Sequence, residues 1–275
     1  MMHIGDMIET AYATVKERYA SKRSLLGIST GFPGFDGLTD GLHRAELIVL
    51  AGRPSMGVST FCLNLSLNVA IDQGLPVVIF SLAASKETTV QHMLCMLAEI
   101  DVCKLRNRHM ADEDWDRLES AMERLKSAPI FIEDEVFITA AGILESCNRI
   151  SKSATPQVVI VDPVELMENY PDDGDISSIL HDLKSVATEL DVVMIAACGL
   201  PRSVEERQNK RPSLRDLKQA KAADAIIFLY RDSYYNPDSK FRGKAEIIIE
   251  RQRHGPTGTL DFVYESNVGR FLQFQ

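Results

Sequence analysis

Apolar runs alternate with amphipathic ones along most of the chain. ELIVLA (46–51), PVVIFSL (76–82), PIFIE (129–133), QVVIVD (157–162), DVVMIAA (191–197) and AIIFLY (225–230) are rich in β-branched residues and nearly all apolar. Such runs suit strands covered on both faces of a parallel sheet. Between them lie stripes at helical spacing: Phe61, Leu65 and Val69; Trp115, Leu118, Met122 and Leu125; Ile176, Ile179, Leu183, Val186 and Leu190. Strand–helix alternation predicts a doubly wound α/β fold, a mostly parallel twisted sheet flanked by helices. The end changes character. AEIIIERQ (245–252), TLDFVYE (259–265) and RFLQF (270–274) follow one another closely, which predicts an antiparallel extension. Near the start, Ile8, Tyr12, Val15 and Tyr19 fall on one stripe and predict a short amphipathic helix over 5–20. A helix that short needs a surface to dock on, in its own domain or a neighbour's. The polar stretch Ser21-Lys22-Arg23-Ser24 follows it, so the chain divides into a linker-type helix, 1–24, and one domain, 25–275.

Composition narrows the class. Apolar residues make up 45% of the 275 and charged residues 25%, as in ordinary globular domains. No apolar run is long enough to span a bilayer, and the start lacks a signal-peptide pattern, so a cytoplasmic protein with no membrane partner is expected. The five cysteines are scattered without a CxxC pair, and are expected to be small buried residues rather than zinc ligands or disulfides. The net charge of −9 excludes a surface that binds nucleic acid indiscriminately. Its distribution is uneven: residues 202–253 stand at +5 and the remainder at −14. That basic stretch fits a phosphate site or a subunit contact, and equally a solvated face.

The candidate chemistry lies where the first strand meets the first core helix. Gly52-Arg53-Pro54-Ser55-Met56-Gly57-Val58-Ser59-Thr60 has the spacing of a phosphate-binding loop, in which backbone N–H groups and a helix N-terminus face an anion. The usual form, GxxxxGK[ST], places a Lys on the β- and γ-phosphates and a hydroxyl on Mg²⁺. Here Ser59 can serve the metal, but Val58 stands where the Lys belongs. VVIVD (158–162) has the form of a strand delivering a carboxylate, Asp162, to the same Mg²⁺. Together the two elements predict a P-loop architecture.

Longer stretches carry a resemblance. GISTGFPGFDGLTDGL (27–42), GRPSMG (52–57), VVIVDPVELM (158–167), PRSVEERQNKRPSLRDL (201–217) with ADAIIFLYRD (223–232), and GKAEIIIERQRHGPTGT (243–259) resemble the C-terminal motor domain of the bacterial replicative DNA helicase (DnaB-like) family. The resemblance implies a RecA-like P-loop NTPase fold, ATP and Mg²⁺ as cofactors, a hexameric ring with nucleotide between subunits, and movement along single-stranded DNA. It also implies that Arg251 and Arg253 are basic groups acting on a neighbour's nucleotide. Partners would then be further copies of the chain or active replicative-helicase subunits.

The chain departs from the family at several functional points. The family's Lys is Val58; its catalytic Glu falls at Ala83, within Ser81-Leu82-Ala83-Ala84; its sensor Gln aligns with Gly199; and a Gln of the metal strand becomes Glu165. A methyl group at 83 cannot orient or activate a water. No Lys or Arg occurs from 164 to 183, the region resembling the first DNA loop, and the second, between Leu217 and Ala223, looks shorter than the family's. The expected function is therefore a replication-linked homologue of the helicase motor with little or no turnover, acting by binding helicase subunits or nucleotide. The alternatives are an active 5′–3′ motor drawing missing groups from elsewhere, such as Lys86 or Glu87, and a nucleotide-binding scaffold.

Overall fold

Each of the nine apolar runs becomes a strand of one sheet in the computed structural model, which describes residues 3–5, 8, 9, 12, 13, 16 and 25–273, apart from 172–174, 218 and 237. The strands are β1 (Leu47–Gly52), β2 (Val77–Ser81), β3 (Ile130–Glu133), β4 (Val158–Asp162), β5 (Val193–Gly199), β6 (Ala225–Tyr230), β7 (Lys244–Arg251), β8 (Gly258–Glu265) and β9 (Arg270–Gln273). Their spatial order is β3-β2-β4-β5-β1-β6-β7-β8-β9. The first six are parallel, and β7, β8 and β9 add an antiparallel flap to β6. The fold is RecA-like, as the sequence predicts.

The period of two along each strand sorts the core into two layers. Leu47, Val49 and Ala51 face one way, with the helices Ala140–Ile150 and Ser177–Leu190; Ile48 and Leu50 face the other, with the helices Val58–Leu67 and Lys86–Ala98. β1 is buried over its whole length because both layers close on it. The stripe Ile179, Leu183 and Val186 is buried as expected.

The stripe Trp115–Leu125 is different. Trp115 and Met122 are 51% and 47% exposed, because the helix Asp112–Ser127 packs against the helix Lys86–Ala98 rather than lying on the sheet. Four cysteines are buried, but Cys103 is exposed, on a short helix, Val102–Asn107, that buries none of its residues. The described residues between 4 and 16 are helical, with Ile8 and Tyr12 exposed; the rest of the predicted 5–20 stripe, Val15 and Tyr19, lies outside the described residues. Among the described residues, no helix is long and apolar enough to cross a membrane.

Candidate functional site

Three neighbouring strands end at the same edge of the sheet: β4 at Asp162, β5 at Gly199 and β1 at Gly52, the last two paired in register. The carboxyl edge of a parallel sheet, where the chain leaves strands for loops, is where such folds hold ligands. Over it opens a cleft of about 960 Å³.

The loop after β1 is shaped by local geometry. Ser55 (φ 68°) and Gly57 (φ 101°) are left-handed, which curls the chain before the helix begins at Val58. Gly57 is required twice over, since a Cβ there would sit 2.9 Å from the Phe271 ring. Asn64 braces the helix behind the loop, donating to the Gly269 carbonyl at 2.9 Å and accepting the Phe271 N–H at 3.1 Å. Arg231 braces the loop itself: its Nη1 donates to the Ser55 carbonyl at 2.9 Å, and its guanidinium lies 4.5 Å from the centre of the Tyr264 ring. Arg53 is also committed, to the Leu200 carbonyl at 2.6 Å and to Glu205 at 3.1 Å.

Of the candidate loop residues, Gly52, Arg53, Pro54, Ser55, Gly57, Val58, Ser59 and Thr60 line the cleft. Met56 does not; its side chain is in the core and its N–H donates to the Arg53 carbonyl at 3.1 Å. Val58 is half-buried and packs on the second core layer, a role open to a branched apolar side chain but not to an ammonium seeking phosphate.

The two metal candidates meet. Ser59 Oγ donates to Asp162 Oδ1 at 3.1 Å, although they stand 103 positions apart. Both offer hard oxygen donors, and burial pushes the Asp162 carboxyl upward, opposed by the Ser59 hydrogen bond. Among the described residues no basic side chain pairs with Asp162, and Mg²⁺ would supply a positive charge there. Ser59 and Asp162 therefore fit a metal held beside a bound phosphate.

Glu165, in the single turn Val164–Leu166, lines the same cleft. Its Oε1 accepts the Gly199 N–H at 2.5 Å, while Oε2 is buried without a hydrogen-bond partner among the described residues. Burial is the main cause raising its pKa, and Asp162 adds to it. Ala83, where the resemblance puts the family's catalytic Glu, is exposed after β2. Lys86 does not reach in to compensate; its Nζ pairs with Asp134 at 2.9 Å and Glu133 at 3.3 Å.

Arg251 and Arg253 occupy the other edge. Arg251 pairs in register with Ile226, at the start of β6, whereas the cleft lies beyond the strands' ends. Arg251 donates to the Ala220 carbonyl and, at 2.6 Å, to that of Ala223. Arg253 pairs at 2.8 Å with Asp224, a fully buried carboxylate that also accepts the Leu47 N–H at 2.8 Å and Lys184 Nζ at 2.6 Å. The two arginines thus sit together, remote from their own subunit's cleft. Sequence spacing does not reveal the bracing roles of Asp224 and Arg231, whose bonds to Leu47 and Ser55 each span more than 170 positions.

These features define a domain of the RecA-like P-loop fold class. The sequence model of the DnaB-like helicase C terminal domain matches residues 27–273, and the chain belongs to that family. It is 35% identical to the replicative DNA helicase DnaB of Geobacillus stearothermophilus and 34% identical to the replicative DNA helicase DnaC of Bacillus subtilis, in each case over 99% of this chain. The chain spans only 62% of the length of either relative. Among solved structures, one ATPase domain superposes with a TM-score of 0.91 at 31% identity, covering 98% of this chain and 99% of that one. A DnaB-like replicative helicase, solved with a view to its interactions with primase, gives a TM-score of 0.90 at 33% identity, covering 98% and 68%. A KaiC-like protein of Pyrococcus horikoshii, at 17% identity and a TM-score of 0.62, covering 90% of this chain and 98% of that one, shares the fold.

Proposed function

We propose that this chain is a cytoplasmic, replication-linked paralogue of the helicase motor that binds nucleotide without appreciable hydrolysis and assembles with helicase subunits. One observation carries the reading. Ser59 lies 3.1 Å from Asp162 beside the loop, a frame that would position phosphate and metal, while Val58 and Ala83 stand where the resemblance puts the Lys and the water-activating carboxylate. Each such group commonly contributes about 10² or more to rate, so their joint loss leaves binding without turnover.

In a bound complex the loop amides and the N-terminus of the helix Val58–Leu67 would hold the phosphates, with Ser59 and Asp162 holding Mg²⁺. The metal would neutralise charge on the phosphates. Arg251 and Arg253, at the edge away from their own cleft, would complete a neighbour's site. That neighbour is either another copy or an active helicase subunit. DNA is a poor ligand for the acidic stretch 164–183.

Two measurements test the proposal. A pull-down with the replicative helicase of the same cell should show association at micromolar concentration, and none would overturn the assembly half. ATP turnover should be undetectable in the native chain and should rise at least about 100-fold in the double variant Val58→Lys, Ala83→Glu. Turnover by the native chain that Asp162→Ala abolishes would instead establish an active motor.

A further inference from the structure

Glu165 has no part in the metal-binding pair, yet its carboxylate is fixed in the cleft. The fixing depends on a second residue. Gly199 offers its N–H to Oε1 at 2.5 Å, and a Cβ at 199 would stand 3.4 Å from that same oxygen. A Cβ there would touch Glu165 at ordinary contact distance, so a longer, polar side chain on Gly199 would stand beside the carboxylate. The two positions are one arrangement: the strand end gives up its side chain and the neighbouring turn inserts a carboxylate. Among the described residues, Oε2 is left buried with no hydrogen-bond partner of its own.

The place matters because phosphates in a P-loop run in a fixed direction. The β-phosphate lies in the curl of the loop; the γ-phosphate extends past it toward the metal carboxylate and the ends of the adjoining strands. In this chain that is the side of Asp162, Gly199 and Glu165. A γ-phosphate there would meet Glu165 as well as Asp162. The compensating Lys is absent at Val58, Arg53 is tied to Leu200 and Glu205, and Arg215, which also lines the cleft, is exposed to solvent in the turn Leu214–Leu217. The β-phosphate keeps its backbone donors and Ser59, none of which depends on the missing groups.

We propose that Glu165, held by Gly199, makes the cleft selective for nucleoside diphosphate over nucleoside triphosphate. The inference rests on the nucleotide-binding reading above and adds which ligand the site retains. A diphosphate satisfies the loop without placing charge against Glu165; a triphosphate does not.

The test is titration calorimetry of the full chain with Mg·ADP and Mg·ATP, on the native protein, Glu165→Gln and Gly199→Gln. Native protein should bind ADP at least about tenfold more tightly than ATP, a modest repulsion between close charges in a polar cleft. Glu165→Gln should tighten ATP to within about threefold of ADP while leaving ADP unchanged. Gly199→Gln, which puts a polar side chain beside the carboxylate, should narrow the gap in the same direction. Melting curves monitored by circular dichroism confirm that each variant is folded.

Equal affinities in the native chain overturn the inference and leave the nucleotide-binding reading standing. An ADP preference that persists in folded Glu165→Gln also overturns it. Failure of both nucleotides to bind removes both the inference and the nucleotide half of the reading. ATP turnover that Glu165→Gln abolishes would make Glu165 a catalytic base and overturn the selectivity.

Discussion

The two edges of the parallel sheet treat an aspartate in opposite ways. At the amino edge, Asp224 is surrounded: the Leu47 N–H and Lys184 reach one oxygen, and Arg253 the other. At the carboxyl edge, Asp162 is half-buried and has, among the described residues, the Ser59 hydroxyl as its side-chain donor, and desolvation raises the pKa of its carboxyl. The first carboxylate has its partners built in, so it holds elements together. Among the described residues the second has no basic side chain paired with it, and a bound cation would supply the missing charge. Structure and site are thus distinguished by what a carboxylate still lacks.

The comparison breaks most visibly at Asp224. Removing one partner of a buried ion pair leaves the others uncompensated, and Asp224→Ala should cost about 3 kcal/mol in urea denaturation. A loss under about 1 kcal/mol would show that the amino-edge cluster is not the brace the geometry indicates. Next is Gly57→Ala, which forces a Cβ into a left-handed position 2.9 Å from Phe271. It should cost about 2 kcal/mol and weaken nucleotide binding, because the damage is to the frame and not to any reacting group.

The smallest effect has the opposite sign. Asp162→Asn should raise stability by about 1 kcal/mol at neutral pH, since it removes an under-partnered charge. The pH dependence follows from the same cause. A carboxyl whose folded pKa is raised binds more protons folded than unfolded, so native stability falls as pH rises from the unfolded value of about 3.9 through the folded one. Asp162→Asn should flatten that part of the stability–pH curve, and Mg²⁺ with nucleotide should flatten it in the native chain. If Asp162→Asn destabilises instead, the carboxyl edge is as structural as the amino edge.

All nine strands were legible because strands covered on both faces are written as apolar runs, and the phosphate loop because its glycines are close together in sequence. The convergence of Ser59 and Asp162 was legible from motif order. Other features depend on the third dimension. Trp115 and Met122 share a helical stripe with Leu118 and Leu125, but periodicity does not say that the helix packs on another helix at the sheet's margin. Cys103 reads as any other small apolar residue until its short helix is seen to bury nothing. The Glu165–Gly199 contact joins two substitutions that look like separate losses along the chain. Met56 sits inside the motif spacing while its side chain serves the core.

The placement of Arg251 and Arg253 at one edge and the phosphate loop at the other gives the subunit a front and a back. In a closed head-to-tail ring each member would lend its arginines to one neighbour and receive those of the other. On the proposed reading, a loss of chemistry in this chain's own cleft would not spread to its neighbours. A ring that admits one copy would forfeit one firing position and keep the rest, so the dose of this chain would set the number of working sites one at a time.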